Sequence, residues 1–426
     1  MYLKKRLIRG MQLLVMLILL QWFSGGQAPR GQFIEKVRSY THDIEFDYVS
    51  WTMDAFGVKL VQSALNTVDY ISVREQRQAV IDYLETVYLI QVNEAVLNDI
   101  YADPAITDPD ASSAELTQKL HPLYKKRDLY GPVAESVLQG MVGETLKSFG
   151  FDPTGQPIPP VLYRSTPLPW ALIVSPRDVI RQDANISLKT EVTLQQQITL
   201  ENQVDTGLEV SSLVVPVGGV GVYPTMVAQT TDLNWLAEVI SHEWMHNYLT
   251  LRPLGLLYDH SPETRTMNET TANIAGKELG YALIERFFPE YLPPPQSEVA
   301  DGEARPLEQS EEVVPPPFDF RAEMHETRVV VDEMLKKGQI EEAEEYMEQR
   351  RQYFWDNGYH IRKLNQAYFA FHGAYADEPL GAAGEDPVGA AVRKLRAASI
   401  NLHDFIQRMA WLTSYQQLQK ELGEIN

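Results

Sequence analysis

The pentapeptide His242-Glu243-Trp244-Met245-His246 contains the residue types and the spacing that bind a catalytic metal ion. On a helix, residues four positions apart lie on the same face. Both imidazoles can therefore reach a single zinc ion, with Glu243 beside it. Zinc lowers the pKa of a water ligand to about 7, so the motif predicts hydrolysis by an activated water, with Glu243 as the general base.

A catalytic zinc site needs a third protein ligand and one open position for water. Glu269 is the predicted ligand, and it lies in the segment NETTAN at positions 268–273. Asp259 and His260 precede this segment in a predicted loop, and either of them can also reach a metal ion. The ligand set predicted here is two histidines and one glutamate.

The residues that follow Glu269 at helical spacing support this choice. Asn273, Gly276 and Gly280 share a helix face with Glu269. Small residues on this face allow two helices to approach closely enough to share a metal ion. Asn273 can accept a hydrogen bond from the outer N–H of a ligating imidazole, which fixes the tautomer of that ring.

The pair of motifs HEWMH and NETTAN resembles the gluzincin clan of zinc peptidases, which includes thermolysin and the membrane-alanyl-type aminopeptidases. The resemblance covers the region from Thr231 to Tyr291. It implies His242, His246 and Glu269 as zinc ligands. Asn273 stands where thermolysin has an aspartate, and the aminopeptidase motif Gly-x-Met-Glu-Asn is absent from the sequence. The carboxy-terminal half resembles a family of uncharacterised, membrane-associated bacterial peptidases.

Two predicted helices position the zinc ligands. Thr231 caps the first helix, which holds Asp232 in its first turn and extends to about Thr250. Ser261 followed by Pro262 is a start signal for the second helix. This helix, or one that begins near Met267, is predicted to extend to about Phe288.

Apolar runs before these helices predict β-strands. The middle run alternates apolar and polar residues, as a half-exposed antiparallel strand does. Gly219 and Gly221 suit an edge strand or a loop beside a cleft. The predicted strands are Trp170–Val174, Ile186–Leu200 and Val210–Val222.

Helical spacing of apolar residues dominates the remainder of the chain. Near the amino terminus it predicts helices over Val73–Leu97 and Ser112–Phe149, the latter with a break at His121-Pro122. Towards the carboxy terminus it predicts helices over Met324–Lys336, Ile340–Trp355, Ile361–Tyr375, Pro387–Ala397 and Leu402–Leu422.

The predicted fold is α+β and mostly helical. A zincin-like core carries a small mixed or antiparallel sheet against the active-site helix, and a helical carboxy-terminal subdomain follows it. The predicted divisions are a targeting segment at 1–28, a helical region at 29–150, the core at 151–290, a Pro/Glu-rich linker at 291–318 and the carboxy-terminal subdomain at 319–426.

Peptide hydrolysis also needs a donor for the oxyanion that develops on the scissile carbonyl. Related peptidases use a Tyr or His located beyond the glutamate helix. The candidates in this chain are Tyr359, His360, Tyr368 and His372. Arg351 or Arg362 can instead hold a substrate carboxylate.

Composition limits the partners and the chemistry. The chain has 426 residues, a formal net charge of -21 and no cysteine. Strong acidity disfavours nucleic acid as a partner, because phosphate binding requires clustered Lys and Arg. The lack of cysteine excludes disulfides and thiolate catalysis, so a metal site must use histidines and carboxylates.

The amino terminus has the composition of a targeting segment. An apolar run from Met11 to Phe23 follows basic residues, and Gly26-Gln27-Ala28 resembles a signal-peptidase site. A cleaved signal and a retained membrane anchor both fit this pattern. Either one predicts an exported protein that is secreted, periplasmic or anchored to the cell membrane, with its catalytic domain outside.

Three functions remain open from the sequence. The first is an exported or membrane-anchored zinc peptidase that acts on peptide or protein substrates. The second is a non-catalytic binding or scaffold protein that retains the zinc site, which the intact Glu243 disfavours. The third is a structural zinc site closed by four ligands, with His260 as the fourth.

Overall fold

The computed structural model describes residues 32–65, 67–102, 108–292, 318–372 and 387–423. Helices dominate these ranges and two small sheets accompany them, which confirms the α+β, mostly helical class. None of the helices in the described ranges is long and apolar enough to cross a membrane. The predicted targeting segment at 1–28 lies outside the described residues. Of the linker predicted at 291–318, residues 293–317 also lie outside them.

The amino-terminal region is helical, as predicted. Its helices are α1 (Gln32–Thr41), α2 (Tyr48–Leu65), α3 (Val73–Ala102) and α4 (Pro109–Ser148). The predicted break at His121-Pro122 is wrong, because α4 continues through both Pro122 and Pro132. Contacts with α3 hold α4 together around these prolines, and they include a hydrogen bond of 2.7 Å from the Tyr124 hydroxyl to Glu94.

Two three-stranded sheets form the β-structure of the described residues. Their strands are β1 (Tyr163–Ser165), β2 (Trp170–Pro176), β3 (Ala184–Leu188), β4 (Val210–Val215), β5 (Gly219–Val220) and β6 (Thr225–Val227). The first sheet has the order β3-β2-β4 and is antiparallel throughout. The second has the order β1-β6-β5, with β1 parallel and β5 antiparallel to β6. The second sheet is therefore mixed, and β5 lies at its edge.

The predicted strand over Ile186–Leu200 is wrong beyond Leu188. Helix α5 (Leu194–Leu208) occupies the rest of this segment, and it starts with a capping box between Thr193 and Gln196. The cap satisfies backbone N–H groups that a strand would need to pair elsewhere. The buried residues of α5 then follow helical spacing: Gln197, Leu200, Glu201 and Val204.

The two helices that carry the predicted zinc ligands are α6 (Leu233–Thr250) and α8 (Pro262–Phe287), with the short helix α7 (Pro253–Leu256) between them. Asp232, rather than Thr231, caps α6, since its carboxylate accepts from the backbone N–H groups of Asn234 and Trp235. Ser261 caps α8 through a capping box with Thr264, as its sequence predicts. Both caps fix where the ligand-bearing turns begin.

Helices α6 and α8 cross at close range because two glycines lie between them. A Cβ atom on Gly276 would lie 2.9 Å from His242 Cβ and 3.0 Å from the Glu238 carbonyl oxygen. A Cβ atom on Gly280 would lie 2.9 Å from both N and Cα of Glu238. The prediction that small residues on the Glu269 face allow the two helices to approach closely is therefore confirmed.

Among the residues described after the central region, six helices are present. They are α9 (Phe320–Lys336), α10 (Ile340–Asp356), α11 (Gln366–His372), α12 (Pro387–Ala398), α13 (Leu402–Ala410) and α14 (Tyr415–Gly423). The single helix predicted over Leu402–Leu422 is in fact two, because the Ser414 hydroxyl accepts from the backbone N–H of Gln417 and starts a new helix. The helix predicted over Ile361–Tyr375 is wrong at its start, because the helix begins only at Gln366, where Asn365 Oδ1 accepts from the backbone N–H of Tyr368. Residues 373–375 of that prediction lie outside the described residues.

The carboxy-terminal helices attach at two places. Helices α12, α13 and α14 pack against α8 and complete the main hydrophobic core. Helix α11 packs against β2 and β4. Just before α11, the Arg362 guanidinium binds both carboxylate oxygens of the buried Glu201 on α5, at 2.6 and 2.8 Å.

Candidate metal centre and active site

Three side chains from α6 and α8 converge on one point. His242 Nε2 and His246 Nε2 lie 3.0 Å apart. Glu269 Oε2 lies 3.7 Å from the first of these nitrogens and 3.3 Å from the second. Among the described residues, this is the group of His, Asp and Glu side chains with the geometry to hold a metal ion, and neither Asp259 nor His260 belongs to it.

The donor set and its spacing fit a zinc ion. Zinc bonds of about 2.0–2.2 Å in a tetrahedral arrangement place ligand atoms about 3.3–3.6 Å apart, close to the separations in this cluster. Glu269 Oε2 is buried and has no hydrogen-bond partner among the described residues. A buried carboxylate oxygen without a partner is costly, and a cation at the point of convergence satisfies it together with both imidazoles.

Neighbouring side chains orient each ligand. Asn268 Oδ1 lies 2.8 Å from His246 Nδ1 and accepts a hydrogen bond from it, so Nε2 is the ring nitrogen that faces the cluster. Asn273 hydrogen-bonds to His242 in the same supporting role, as its sequence position predicts. The Tyr258 hydroxyl donates to Glu269 Oε1 and leaves Oε2 directed at the histidines.

The electrostatics of the site follow from burial and from these short separations. Burial lowers the pKa of His242 to about 3, and the neighbouring His246 contributes to the shift. Burial alone would lower the pKa of His246 and raise that of Glu269. The attraction between these two groups outweighs burial, raises the pKa of His246 and lowers the pKa of Glu269. Burial raises the pKa of Glu243 to about 7, a value suited to a group that both accepts and returns a proton near neutral pH.

The cluster opens into a cavity of about 500 Å³. Backbone of the β5 region lies directly over Glu243, because a Cβ atom on Gly219 would overlap the Glu243 carboxylate and one on Gly221 would lie 3.2 Å from His246 Cβ. The predicted placement of these glycines beside a cleft is confirmed. Other lining residues come from distant parts of the chain: Tyr48 from α2, Trp170 and Ala171 from β2, Asn185 and Ser187 from β3, and Phe371 from α11.

The four predicted oxyanion donors lie outside the residues that line this cavity. Tyr368 and His372 contact each other, with ring centroids 4.3 Å apart and ring planes inclined by 47°, on the helix that covers β2 and β4. Burial raises the pKa of Tyr368 to about 12 and lowers that of His372 to about 4. Tyr359 stacks on Phe320, and His360 lies 4.2 Å from the Trp355 ring centroid.

The two arginines proposed for substrate binding are engaged in internal ion pairs. Arg351 binds Glu348 at 2.7 Å through both Nε and Nη2, within α10. Arg362 binds Glu201, and neither arginine lines the cavity. Both guanidinium groups are therefore paired away from the cavity.

Sequence reasoning missed three residues of the site: Tyr48, Tyr258 and Phe371. Tyr258 lies 11 positions before the glutamate that it supports, within a loop that carries no periodic signal. Tyr48 and Phe371 reach the cavity through contacts between distant segments. No local pattern in the sequence identifies either of them.

Neither a family model, nor a curated protein, nor a solved structure matches this chain. The functional conclusion consequently depends on the chemistry of the residues and on their geometry.

Proposed function

We propose that this protein is a zinc-dependent metallopeptidase of the gluzincin type, in which His242, His246 and Glu269 hold the metal ion. The convergence of these three ligand atoms within 3.7 Å, beside a buried glutamate at the position of a general base, carries the proposal. The open cavity next to the cluster favours a catalytic site over a closed structural one, because a structural zinc normally has four protein ligands.

Glu243 performs the proton transfers in this mechanism. When bound, zinc polarises the scissile carbonyl and makes a water molecule acidic enough to lose a proton near pH 7. Glu243 accepts that proton as water oxygen bonds to the carbonyl carbon, and then gives it to the amide nitrogen as the C–N bond breaks.

The edge strand β5 offers a binding surface for an extended peptide. It pairs with β6 through Gly219 and Val220, and in the described sheet no strand pairs with its other edge. A substrate backbone that adds to this edge would pass next to Glu243, because Gly219 lies against that carboxylate. The lack of side chains at Gly219 and Gly221 leaves room for this approach.

We further propose that the protein acts outside the cytoplasm on peptide or protein substrates. The basic residues before Met11–Phe23 and the apolar character of that run support export through a cleaved signal or a retained anchor. A net charge of -21 supports peptides over nucleic acids as substrates.

Cleavage of a peptide library by the full-length chain, with products identified by mass spectrometry, tests the proposed function. We expect Glu243→Gln to bind zinc normally and to lose about 10²–10⁴-fold in kcat, because the amide cannot accept the water proton. Glu285→Gln changes an exposed glutamate on α8 in the same way and should retain full activity. Equal cleavage by wild type and Glu243→Gln would refute the assignment of the base.

A measurement of metal content tests the proposed zinc site independently of peptide cleavage. Mass spectrometry of the purified chain should find about one zinc per molecule, and much less in Glu269→Ala. A wild-type chain that takes up no zinc after reloading would overturn the proposed metal site. A chain that holds zinc but cleaves no peptide would keep the site and reject the peptidase function.

A further inference from the structure

Tyr48 is the first residue of α2, and it lines the same cavity as Glu243 and His246. Its hydroxyl donates a hydrogen bond of 2.7 Å to Ser187 Oγ on β3. Ser187 also lines the cavity and is only partly buried. The phenol can therefore exchange this acceptor for a substrate atom without leaving a buried polar group unpaired.

The segment before Tyr48 holds it in place. Glu45 forms a bridge with Leu188, and the Phe46 N–H donates to the Ser187 carbonyl oxygen at 2.9 Å. Asp47 then caps α2, since its carboxylate accepts from the backbone N–H groups of Val49 and Ser50 at 3.0 Å each. A residue fixed on both sides is preorganised, which is the property that an oxyanion donor requires.

The phenol remains a neutral donor at physiological pH. Burial raises the pKa of Tyr48 above its usual range, and the negative charge of Glu243 raises it further, whereas the Ser187 hydrogen bond lowers it. A neutral O–H group in a partly desolvated cavity donates strongly to an anion.

We propose that the Tyr48 hydroxyl donates a hydrogen bond to the oxyanion that forms on the scissile carbonyl. This inference rests on the proposed peptidase function. Tyr48 keeps its own proton throughout. One water proton travels through Glu243 to the amide nitrogen, and the C–N bond breaks to give an amine and a carboxylic acid that keeps the second water proton.

The other aromatic candidates serve different roles. Tyr258 also lines the cavity, but its hydroxyl is committed to Glu269. Tyr368 and His372 do not line the cavity. Among the described tyrosines and histidines, Tyr48 thus combines a place in the cavity with a hydroxyl whose partner is exchangeable.

The test compares Tyr48→Phe with Ser187→Ala in the full-length chain, with zinc content and melting temperature measured for each. Both variants lose the same hydrogen bond, so a merely structural role would affect them equally. We expect kcat to fall about 100-fold in Tyr48→Phe with KM little changed, and to fall far less in Ser187→Ala. Tyr70→Phe alters an exposed tyrosine and should match wild type.

Binding of a phosphonamidate peptide, whose anionic tetrahedral phosphorus mimics the intermediate, provides a readout that does not require turnover. Its dissociation constant should rise about 100-fold in Tyr48→Phe and remain near the wild-type value in Ser187→Ala. Equal losses in the two variants, or none in Tyr48→Phe, would overturn the assignment. If wild type cleaves nothing but shows this difference in binding, the oxyanion site stands and the peptidase function fails. If wild type holds zinc and binds no phosphonamidate, the Tyr48 assignment fails as well.

Discussion

Gly276→Ala should separate the two helices of the metal centre. The added methyl group would lie 2.9 Å from His242 Cβ, 3.0 Å from the Glu238 carbonyl oxygen and 3.2 Å from His242 Cα. Carbon atoms in contact prefer about 3.5–4.0 Å. Two of these three atoms belong to the backbone of α6, so the overlap is relieved by moving α6 away from α8 by roughly 0.5–1 Å.

Two opposing contributions determine how Gly276→Ala changes the free energy of unfolding. Alanine favours a helix interior over glycine by about 0.8–1.0 kcal/mol. Overpacking a tight contact costs about 1–3 kcal/mol. The expected change in the free energy of unfolding is therefore between about zero and a loss of 2 kcal/mol. Metal ligands tolerate displacements of only about 0.2 Å, so zinc affinity should fall at least about 10-fold.

Gly140→Ala is the matched control. Gly140 is exposed on α4, and a Cβ atom there would meet nothing within 4 Å. This variant should gain only the stability that comes from helix propensity, about 0.8–1.0 kcal/mol, and keep the zinc affinity of wild type. Urea denaturation gives the unfolding free energies, and competition with a chromogenic chelator gives the zinc affinities.

The decisive comparison is between Gly276→Ala and Gly140→Ala. Their free energies of unfolding should differ by about 1–3 kcal/mol, and only Gly276→Ala should lose zinc affinity. If Gly276→Ala gained stability as Gly140→Ala does and bound zinc as tightly as wild type, the close helix contact would not be what positions His242.

Three further variants test other parts of the site. Gly219→Ala would push the Glu243 carboxylate aside. We expect kcat to fall about 10²-fold or more, with one zinc per chain retained. An unchanged kcat would contradict the proposed position of the base. Tyr258→Phe removes the hydrogen bond to Glu269 Oε1, and chelator competition should show zinc affinity reduced about 10-fold; an unchanged affinity would show that Tyr258 does not orient the ligand. Burial lowers the pKa of His372 to about 4, so between pH 6.5 and 4 the unfolded chain binds more protons than the folded chain and stability is lost as pH falls. Between pH 7 and pH 5, the free energy of unfolding, measured by urea denaturation, should fall by about 1 kcal/mol less in His372→Phe than in wild type; this value allows for the partly exposed ring. Equal decreases in both proteins would argue against a buried neutral imidazole.

The convergence of His242, His246 and Glu269 could be predicted because its signals are local. The spacing of His242 and His246 places both rings on one helix face, and the spacing of Gly276 and Gly280 from Glu269 marks the face that approaches them. Helix caps at the start of α6 and α8 are also short-range patterns. The cap predicted at Thr231 is one residue from the observed cap, and the start signal at Ser261 is correct, whereas the alternative start near Met267 is wrong. Each of these features depends on residues that are close in sequence.

Features that depend on distant contacts could not be predicted. Tyr48 reaches the cavity only because residues 44–46 pair with β3, and strand pairing of this kind leaves no mark in either segment. The error at α5 has a different origin. The alternating residues of 186–200 fit a strand, but the capping box at Thr193 and Gln196 was a local signal for a helix and outweighs the alternation.

The cavity is assembled from both ends of the described chain, and this has a consequence for timing. Tyr48 comes from the first part of the chain, the zinc ligands from the middle and Phe371 from α11, which is held on the sheet next to the Arg362–Glu201 ion pair. Protein regions generally fold in the order in which they are synthesised. A nascent chain that has already made its zinc ligands therefore still lacks one wall of the cleft. Under the proposed function, the enzyme would be latent until synthesis of its carboxy-terminal part was complete, without a separate inhibitory segment.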